Sequence, residues 1–333
     1  MRKTKTMKLD LTTCKPFSLA QSIAFLRRFV PCTSDYILTD DSITAAVVVD
    51  RRATTFTLRG DREVTLESPD AKRVRVIASD FVGASDDLTA FYAAAAGDPP
   101  MKPLVEALYG LHHARFLTLG EIAVYCVMMQ RNPIERAAQL KRAFFESFGV
   151  PVVVGDRTLR ALPELDTLAG LSAAEIGEAI RHRPKAEQIV RVVAGVAAIG
   201  ETMLRDAPYA EARDRLLEVK GIGPFSAAAI LLRGLGRMDE LPWMDRFSSV
   251  ARELYGDDAD GEALAGRYGR SIGYWSFYAM TGMERIAPFK DSGLPSSSAS
   301  RTRSRGAAGR AAPRRSSGKS RGSSSSRSAS PAS

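Results

Sequence analysis

The residues best suited to chemistry lie in two short stretches of the second half of the chain. The first, Val219-Lys220-Gly221-Ile222-Gly223-Pro224, is a glycine turn between two apolar helical segments. Its glycines permit positive φ and close approach of another backbone, Ile222 can fill the gap between the helices, and Pro224 suits a first helical turn. The free N–H groups of such a helix start can bind one phosphate.

The second stretch, Leu241-Pro242-Trp243-Met244-Asp245, opens another helix. At a helix N-terminus, the dipole and the nearby N–H groups favour the charged form of a carboxylate. An ionised Asp245 can stabilise a developing cation and can orient or deprotonate water. The alternative is that Asp245 is only an N-cap.

The elements around these stretches predict an α+β fold. Residues 8–100 contain short β-prone runs separated by turn residues, which is typical of an antiparallel sheet. These runs are Tyr36–Leu38, Ile43–Val49, Thr54–Leu58, Val64–Leu66 and Val74–Ile77. Residues 101–290 have helical patterns, and the mostly apolar Leu117–Met129 is predicted to be a buried helix. We therefore expect an N-terminal α+β domain over 8–100 and an all-α domain over 101–290.

The composition indicates a globular protein, with 45% hydrophobic and 26% charged residues among 333. Three dispersed cysteines exclude a disulfide scaffold and a four-cysteine cluster, and they fit a reducing compartment. There is no apolar run long enough for a transmembrane helix and none after the basic N-terminus, so we expect no secretory signal. The expected location is the cytoplasm, in association with the nucleoid if the source is bacterial.

The net charge of +9 arises in the C-terminal tail, residues 291–333, after its first residue, Asp291. From Ser292 onward the chain has nine basic residues and no acidic one, which leaves equal numbers of acidic and basic groups elsewhere. The tail is rich in Ser, Arg, Gly, Ala and Pro and is predicted to be disordered. It either holds polyanions loosely or is an inert extension.

Together, the glycine turn and the aspartate resemble the helix–hairpin–helix DNA glycosylase superfamily. The matching pieces are Val219–Gly223 with Ser226-Ala227, Leu231–Gly234, and Pro242–Asp245. Within the superfamily the chain is most similar to the DNA-3-methyladenine glycosylase II branch, which carries an antiparallel β domain before the helices. The resemblance covers roughly residues 8–288 and does not include the tail.

The resemblance implies a monofunctional hydrolase that starts base-excision repair. It would flip an alkylated purine of the 3-methyladenine type out of DNA and hydrolyse the N-glycosidic bond. Asp245 is the implied catalytic residue. Bifunctional relatives carry a nucleophilic lysine two residues after the second glycine, where this chain has Phe225, and Lys220 lies before the glycines.

A flipped cationic base would stack on electron-rich rings. The segment Trp275-Ser276-Phe277-Tyr278-Ala279 is similar to the one that lines the pocket in this branch. The implied pocket residues are Trp275 as the main platform, with Phe225, Trp243 and Tyr278 as walls, and the alternative for each is core packing. The chain departs from the family at Ala229 and Arg246, where tyrosine is expected, so the substrate range stays open.

The implied partner is double-stranded DNA containing damaged bases, bound by a monomer. The hairpin residues Gly221, Gly223, Lys220 and Ser226 are the implied backbone contacts. Gln130 and Arg131 follow a helix end at which the family places a wedge; Arg131 is the implied wedge, or else a surface arginine. No cofactor or catalytic metal is implied, and the resemblance leaves open whether an alkali or alkaline-earth ion joins the hairpin to DNA.

Two other functions are compatible with the same residues. The chain could be a non-catalytic helix–hairpin–helix protein that only binds DNA. It could also be a glycosylase for oxidised or deaminated purines.

Overall fold

A five-stranded antiparallel sheet forms the first part of the fold in this computed structural model, which describes residues 6–285. The strand order is β1-β5-β4-β3-β2. The strands are β1 (Met7–Leu11), β2 (Ile37–Leu38), β3 (Ser42–Val49), β4 (Arg52–Gly60) and β5 (Val64–Ser68). The predicted antiparallel sheet is therefore confirmed.

One face of this sheet packs on the main core; the other carries polar residues and, at Ala46 and Val48, a second buried apolar cluster with Leu159 and Ala161. Ile43 of β3 lies opposite Leu58 of β4, and both side chains are fully buried. The next residue, Thr44, lies opposite Thr57, and their hydroxyl groups are hydrogen-bonded at 2.8 Å. Successive side chains of a strand point to opposite faces, so the alternation in the sequence sets the register.

The predicted strand Val74–Ile77 is wrong, because these residues lie in helix α2 (Ala71–Phe81). Val74, Ala78 and Phe81 are spaced by three or four residues and form one buried face. The sequence analysis also missed a hairpin within the helical region. Its strands, β6 (Val150–Val154) and β7 (Arg157–Ala161), pair across a two-residue turn.

Fifteen α-helices lie in the described part of the chain. In order they are α1 (Leu19–Leu26), α2, α3 (Thr89–Ala96), α4 (Lys102–Ala107), α5 (Leu119–Met129), α6 (Ile134–Phe148), α7 (Leu165–Ala169), α8 (Ala173–Ile180), α9 (Arg183–Ile199), α10 (Glu201–Asp206), α11 (Tyr209–Leu217), α12 (Pro224–Ala229), α13 (Asp245–Tyr255), α14 (Gly261–Tyr268) and α15 (Ile272–Arg285). None of them is both long enough and apolar enough to cross a membrane.

Helix α5 lies at the centre of the helical body, and almost all its residues are buried, as predicted. The sheet and the helices share one continuous apolar core that extends from Leu11 to Met283. The division near residue 100 stays a prediction. The tail predicted to be disordered lies outside the described residues.

A buried ion cluster ties α5 and α6 to the N-terminal part of the chain. The ammonium group of Lys141, on α6, contacts the carboxylates of Asp35 and Glu121 and lies 3.4 Å from the Cys32 sulfur. Lys141 and Glu121 are both nearly inaccessible to solvent. Two carboxylates and a thiol thus surround the ammonium group of Lys141. The same three side chains could together hold a metal ion.

We expect Lys141→Met to lower the free energy of unfolding by about 3–5 kcal/mol, because it leaves buried carboxylate charge without a partner. Urea denaturation followed by circular dichroism measures the loss. The control is Lys8→Met, which breaks an exposed pair with Glu67 and should cost less than about 1 kcal/mol. Equal losses for the two variants would contradict this account of the cluster.

Candidate functional site

The predicted glycine turn joins α11 to α12. Gly221 has φ of +109°, and the next side chain, Ile222, is buried between the helices. Pro224 is the first residue of α12, and the N-cap position, Gly223, has no side chain. The first N–H groups of α12 therefore face outward without a side-chain cap.

The two glycines have different roles. Gly221 needs its positive φ, and a Cβ there would lie 3.2 Å from the side chain of Gln188. Gly223 has an ordinary φ of −102°, and a Cβ there would meet nothing within 4 Å. The fold therefore requires a glycine at position 221 but not at position 223. At Gly223 the exposed backbone carries no side chain.

Two glutamine side chains hold the turn in place. Gln130 and Gln188 each donate a hydrogen bond to the carbonyl of Gly221, at 2.9 Å and 3.2 Å. The amide of Gln130 also lies 3.3 Å from the hydroxyl of Ser226, which is itself buried. Lys185 donates to the Gln130 carbonyl at 2.8 Å.

The DNA contacts predicted for Gln130 and Ser226 stay predictions. The side chain of Gln130 bonds to the turn and to the hydroxyl of the buried Ser226. These bonds fix the position of the hairpin, and the backbone N–H of Ser226 remains available at the start of α12.

Arg131 and Lys220 are surface residues that adjoin Gln130 and Gly221 in the sequence. Arg131 follows Gln130 and has φ of +56°, an unusual value for a residue with a side chain. Lys220 directly precedes Gly221. Both side chains are exposed, so the structure presents two cations and the bare turn of Gly223 to solvent.

Asp245 is the first residue of α13 and is exposed. Within residues 6–285 its carboxylate has no hydrogen-bond donor and no ion pair; its carbonyl accepts from Ser249. The N-cap position is Met244, which provides no side-chain cap. The alternative that Asp245 is only an N-cap is therefore wrong, and the carboxylate is free to act on a ligand.

The predicted pocket aromatics separate into a surface group and a buried group. Trp243 and Phe225 are each 36% exposed, whereas Trp275 is fully buried. Trp275 packs against Trp243 with 5.7 Å between ring centroids. Trp275 therefore supports Trp243 from the core side. The role of Trp275 in a base pocket stays a prediction.

Tyr278 lies in the core like Trp275, and its role as a pocket wall likewise stays a prediction. It is fully buried, and its hydroxyl lies 2.9 Å from that of Tyr92 and donates to the Leu111 carbonyl at 2.8 Å. It faces the interior of the helical body on α15.

A cavity of about 70 Å³ has Arg246, the residue after Asp245, in its wall. Its walls come from α1, α15, the start of α6, the start of α13 and the end of the hairpin's second helix. The lining residues are Phe25, Arg28, Phe29, Ile134, Arg233, Arg246, Met280, Thr281, Glu284 and Arg285. Arg246 directly follows Asp245, and consecutive Cα atoms are about 3.8 Å apart. The lining of this strongly basic cavity thus includes the residue that follows Asp245.

Arg233 projects into this cavity from a π-helical turn, Ile230–Gly234, that continues α12. Such turns are rare and often occur at functional sites. The guanidinium lies 5.5–6.0 Å from the rings of Phe25, Phe29 and Phe277. Burial, with the neighbouring Arg246 cation, lowers the pKa of Arg233 to about 10, so it keeps its charge at neutral pH.

The sequence analysis did not identify Arg233 as a functional residue. The only signals were its place in the Leu231–Gly234 run and the departure from tyrosine at Arg246. Neither signal shows that arginines from distant segments would meet.

The comparisons with known proteins are consistent with this geometry. The chain is 27% identical over 152 residues to a DNA-3-methyladenine glycosylase of Bacillus subtilis (strain 168), covering 45% of this chain and 50% of that protein. It is 28% identical over 181 residues to a probable bifunctional transcriptional activator/DNA repair enzyme AlkA of Mycobacterium tuberculosis, covering 54% of this chain and 36% of the relative. The chain thus spans half or less of these relatives. No family model matches it.

Two solved structures share the fold. The 3-methyladenine DNA glycosylase of Archaeoglobus fulgidus has a TM-score of 0.67 and 20% identity, covering 82% of this chain and 96% of that chain. MBOgg1 in complex with a low affinity DNA ligand has a TM-score of 0.65 and 20% identity, covering 83% and 96%. At this identity the likeness shows the fold alone. Fold and relatives together confirm that the chain resembles the helix–hairpin–helix DNA glycosylase superfamily, as the glycine turn and Asp245 predicted.

Proposed function

We propose that this chain is a monofunctional DNA glycosylase that releases damaged purines from double-stranded DNA. The observation that carries the proposal is the exposed carboxylate of Asp245 at a helix start, which has no hydrogen-bond donor within residues 6–285 and directly precedes Arg246, a lining residue of the cavity. A protein that only binds DNA needs neither the carboxylate nor the cavity.

The proposed reaction is hydrolysis of the bond between the sugar and the base. Extraction of the base from the duplex costs a few kcal/mol. As the bond breaks, positive charge develops on the sugar, and the Asp245 carboxylate stabilises it and orients water. Phe225 at the start of α12 offers no amine for a covalent step, so the reaction ends with an abasic site. Water is the nucleophile, and we propose that no cofactor is needed.

The proposed DNA contact is the exposed surface of the hairpin. The bare backbone at Gly223 and the first N–H groups of α12 can approach a phosphate, and Lys220 adds a positive charge. Arg131 would occupy the space that the flipped base leaves. We further propose that the protein acts as a monomer and in the cytoplasm.

Two substrate classes are candidates. The name of the Bacillus subtilis relative and the exposed ring of Trp243, packed on Trp275, support alkylated purines. The arginines of the cavity support oxidised or deaminated purines, which are uncharged.

The two glycines provide a matched pair of variants. Gly221→Ala should lower the free energy of unfolding by about 1–3 kcal/mol, because the new side chain would be held at positive φ. Gly223→Ala should change stability by less than about 0.5 kcal/mol but weaken duplex binding by about tenfold, because its Cβ would stand between backbone and phosphate. Urea denaturation and fluorescence anisotropy with a labelled duplex measure these effects. Undiminished duplex binding by Gly223→Ala would remove the hairpin from the proposed interface.

Arg131→Gly tests the proposed wedge role of Arg131 separately from any effect on stability. It removes the side chain and relieves the strained φ, so stability should be unchanged or rise by up to about 1 kcal/mol. Base release should fall by about tenfold, because about 1.4 kcal/mol of the unstacking cost would no longer be offset. Single-turnover release assays measure this, with Arg136→Gly on the surface of α6 as a control for charge. If Arg131→Gly released bases as fast as the wild type, Arg131 would be a surface arginine only.

Asp245→Asn tests the proposed catalytic residue. Asparagine has the same shape and no charge, so base release should fall by at least about 1,000-fold while duplex binding is kept. Asp257→Asn, an exposed residue after α13, is the control. The measurement is release of methylated bases, 8-oxoguanine and hypoxanthine from defined duplexes. Release by Asp245→Asn within tenfold of the wild-type rate would remove the residue from its assigned role.

A further inference from the structure

We infer that the arginine-lined cavity makes uncharged purine lesions, which depart as anions, the preferred substrates of this site over cationic alkylated purines. This rests on the proposed glycosylase function and specifies its substrate class. Arg233 and Arg246 are the residues to which we assign the selectivity.

The first argument is the charge of the cavity. Four arginines line it, namely Arg28, Arg233, Arg246 and Arg285, and Glu284 is the one acidic residue among its described lining. The side chain of Arg285 binds Gln21, whereas those of Arg233 and Arg246 make no ion pair within residues 6–285. The cavity therefore has an excess of positive charge, which repels a cationic base and attracts electron-rich oxygen and nitrogen atoms.

The second argument is the way in which Arg233 is held. Its polar partner is the ring of His113, at 3.1 Å from one guanidinium nitrogen. Burial lowers the pKa of His113 well below its ordinary value, and the Arg233 and Arg115 cations lower it further, so the ring is neutral and accepts. A partly buried cation whose partner is neutral lowers the stability of the fold unless a ligand pairs with the cation.

The third argument is the chemistry of the leaving group. When the bond between C1′ and the purine nitrogen breaks, the electron pair stays on that nitrogen. A cationic alkylated purine then departs neutral and needs no further stabilisation. An uncharged purine departs as an anion, and Arg233 and Arg246 can stabilise this developing negative charge.

The remaining atoms balance with water alone. The water oxygen bonds to C1′ of the sugar cation that Asp245 stabilises. One water proton passes to the Asp245 carboxylate and then through solvent to the purine anion. The cavity is small for a complete purine, but Arg28 and Arg246 are exposed side chains at its edge that can move to widen it.

The test compares two duplexes that differ only in one base, hypoxanthine or 7-methylguanine. Base release is measured with enzyme in excess and expressed relative to the enzyme-free rate, because the cationic base is intrinsically labile. We expect the wild-type enhancement for hypoxanthine to exceed that for 7-methylguanine by at least about tenfold.

Arg246→Gln and Arg233→Met should each lower the enhancement for hypoxanthine by at least about tenfold and leave that for 7-methylguanine unchanged or higher. Arg183→Gln, at an exposed surface pair with Glu187, is the matched control. If Arg233→Met did not fold, as judged by urea denaturation, the exposed Arg246 would still give the answer.

Three outcomes would overturn the inference. A wild-type enhancement for 7-methylguanine equal to or above that for hypoxanthine would show that the cavity does not select for charge. Equal losses on both duplexes in the arginine variants would indicate that the cavity binds a DNA phosphate instead of the base. Release of neither base, by the wild type as by Asp245→Asn, would reject the glycosylase function itself.

Discussion

Within residues 6–285 the carboxylate of Asp245, at the start of α13, has no hydrogen-bond donor and no ion pair. The next residue, Arg246, lines the basic cavity. Exposed charges of opposite sign gain little from pairing, and these two neighbours do not pair. This separation keeps negative charge available for a cation that arrives from outside, and positive charge available for a group that leaves as an anion. The proposed chemistry depends on the two charges being held apart.

The separation is maintained by the packing behind the segment before α13. Trp243 packs so closely on Gly261 that a Cβ there would lie 2.9 Å from its ring. Its other contact, Trp275, donates a hydrogen bond from its ring nitrogen to the Tyr255 hydroxyl at 2.9 Å. That hydroxyl donates to the buried carboxylate of Asp98 at 2.8 Å. The position of Asp245 is thus anchored to the turn between α3 and α4, far away in sequence.

Local signals made part of this arrangement predictable. A glycine turn between apolar helices and an acidic residue opening a helix depend on neighbours in sequence, and the structure has both. What the sequence did not show depends on competing local signals or on contacts between distant segments. Val74–Ile77 looks like a strand because of its β-branched residues, but its buried face has helical spacing. Gln130 is a polar residue far from the turn in sequence, and only the fold shows that it bonds to Gly221 and Ser226. Tyr278 was expected in the pocket and is a core residue, whereas Arg233 was not expected in the site and lines the cavity. Both outcomes depend on burial, which is set by the whole chain.

The central claim is that Asp245 stabilises positive charge on the sugar, and a charged mimic of that state tests it most directly. A duplex with a pyrrolidine ring in place of the damaged nucleoside carries a cation at the sugar position, and a tetrahydrofuran ring gives the neutral counterpart. The account predicts that the wild type binds the pyrrolidine duplex at least about 100-fold more tightly than the neutral one, and that Asp245→Asn loses this preference. Equal affinity of the wild type for both duplexes, or the same preference in Asp245→Asn, would contradict it.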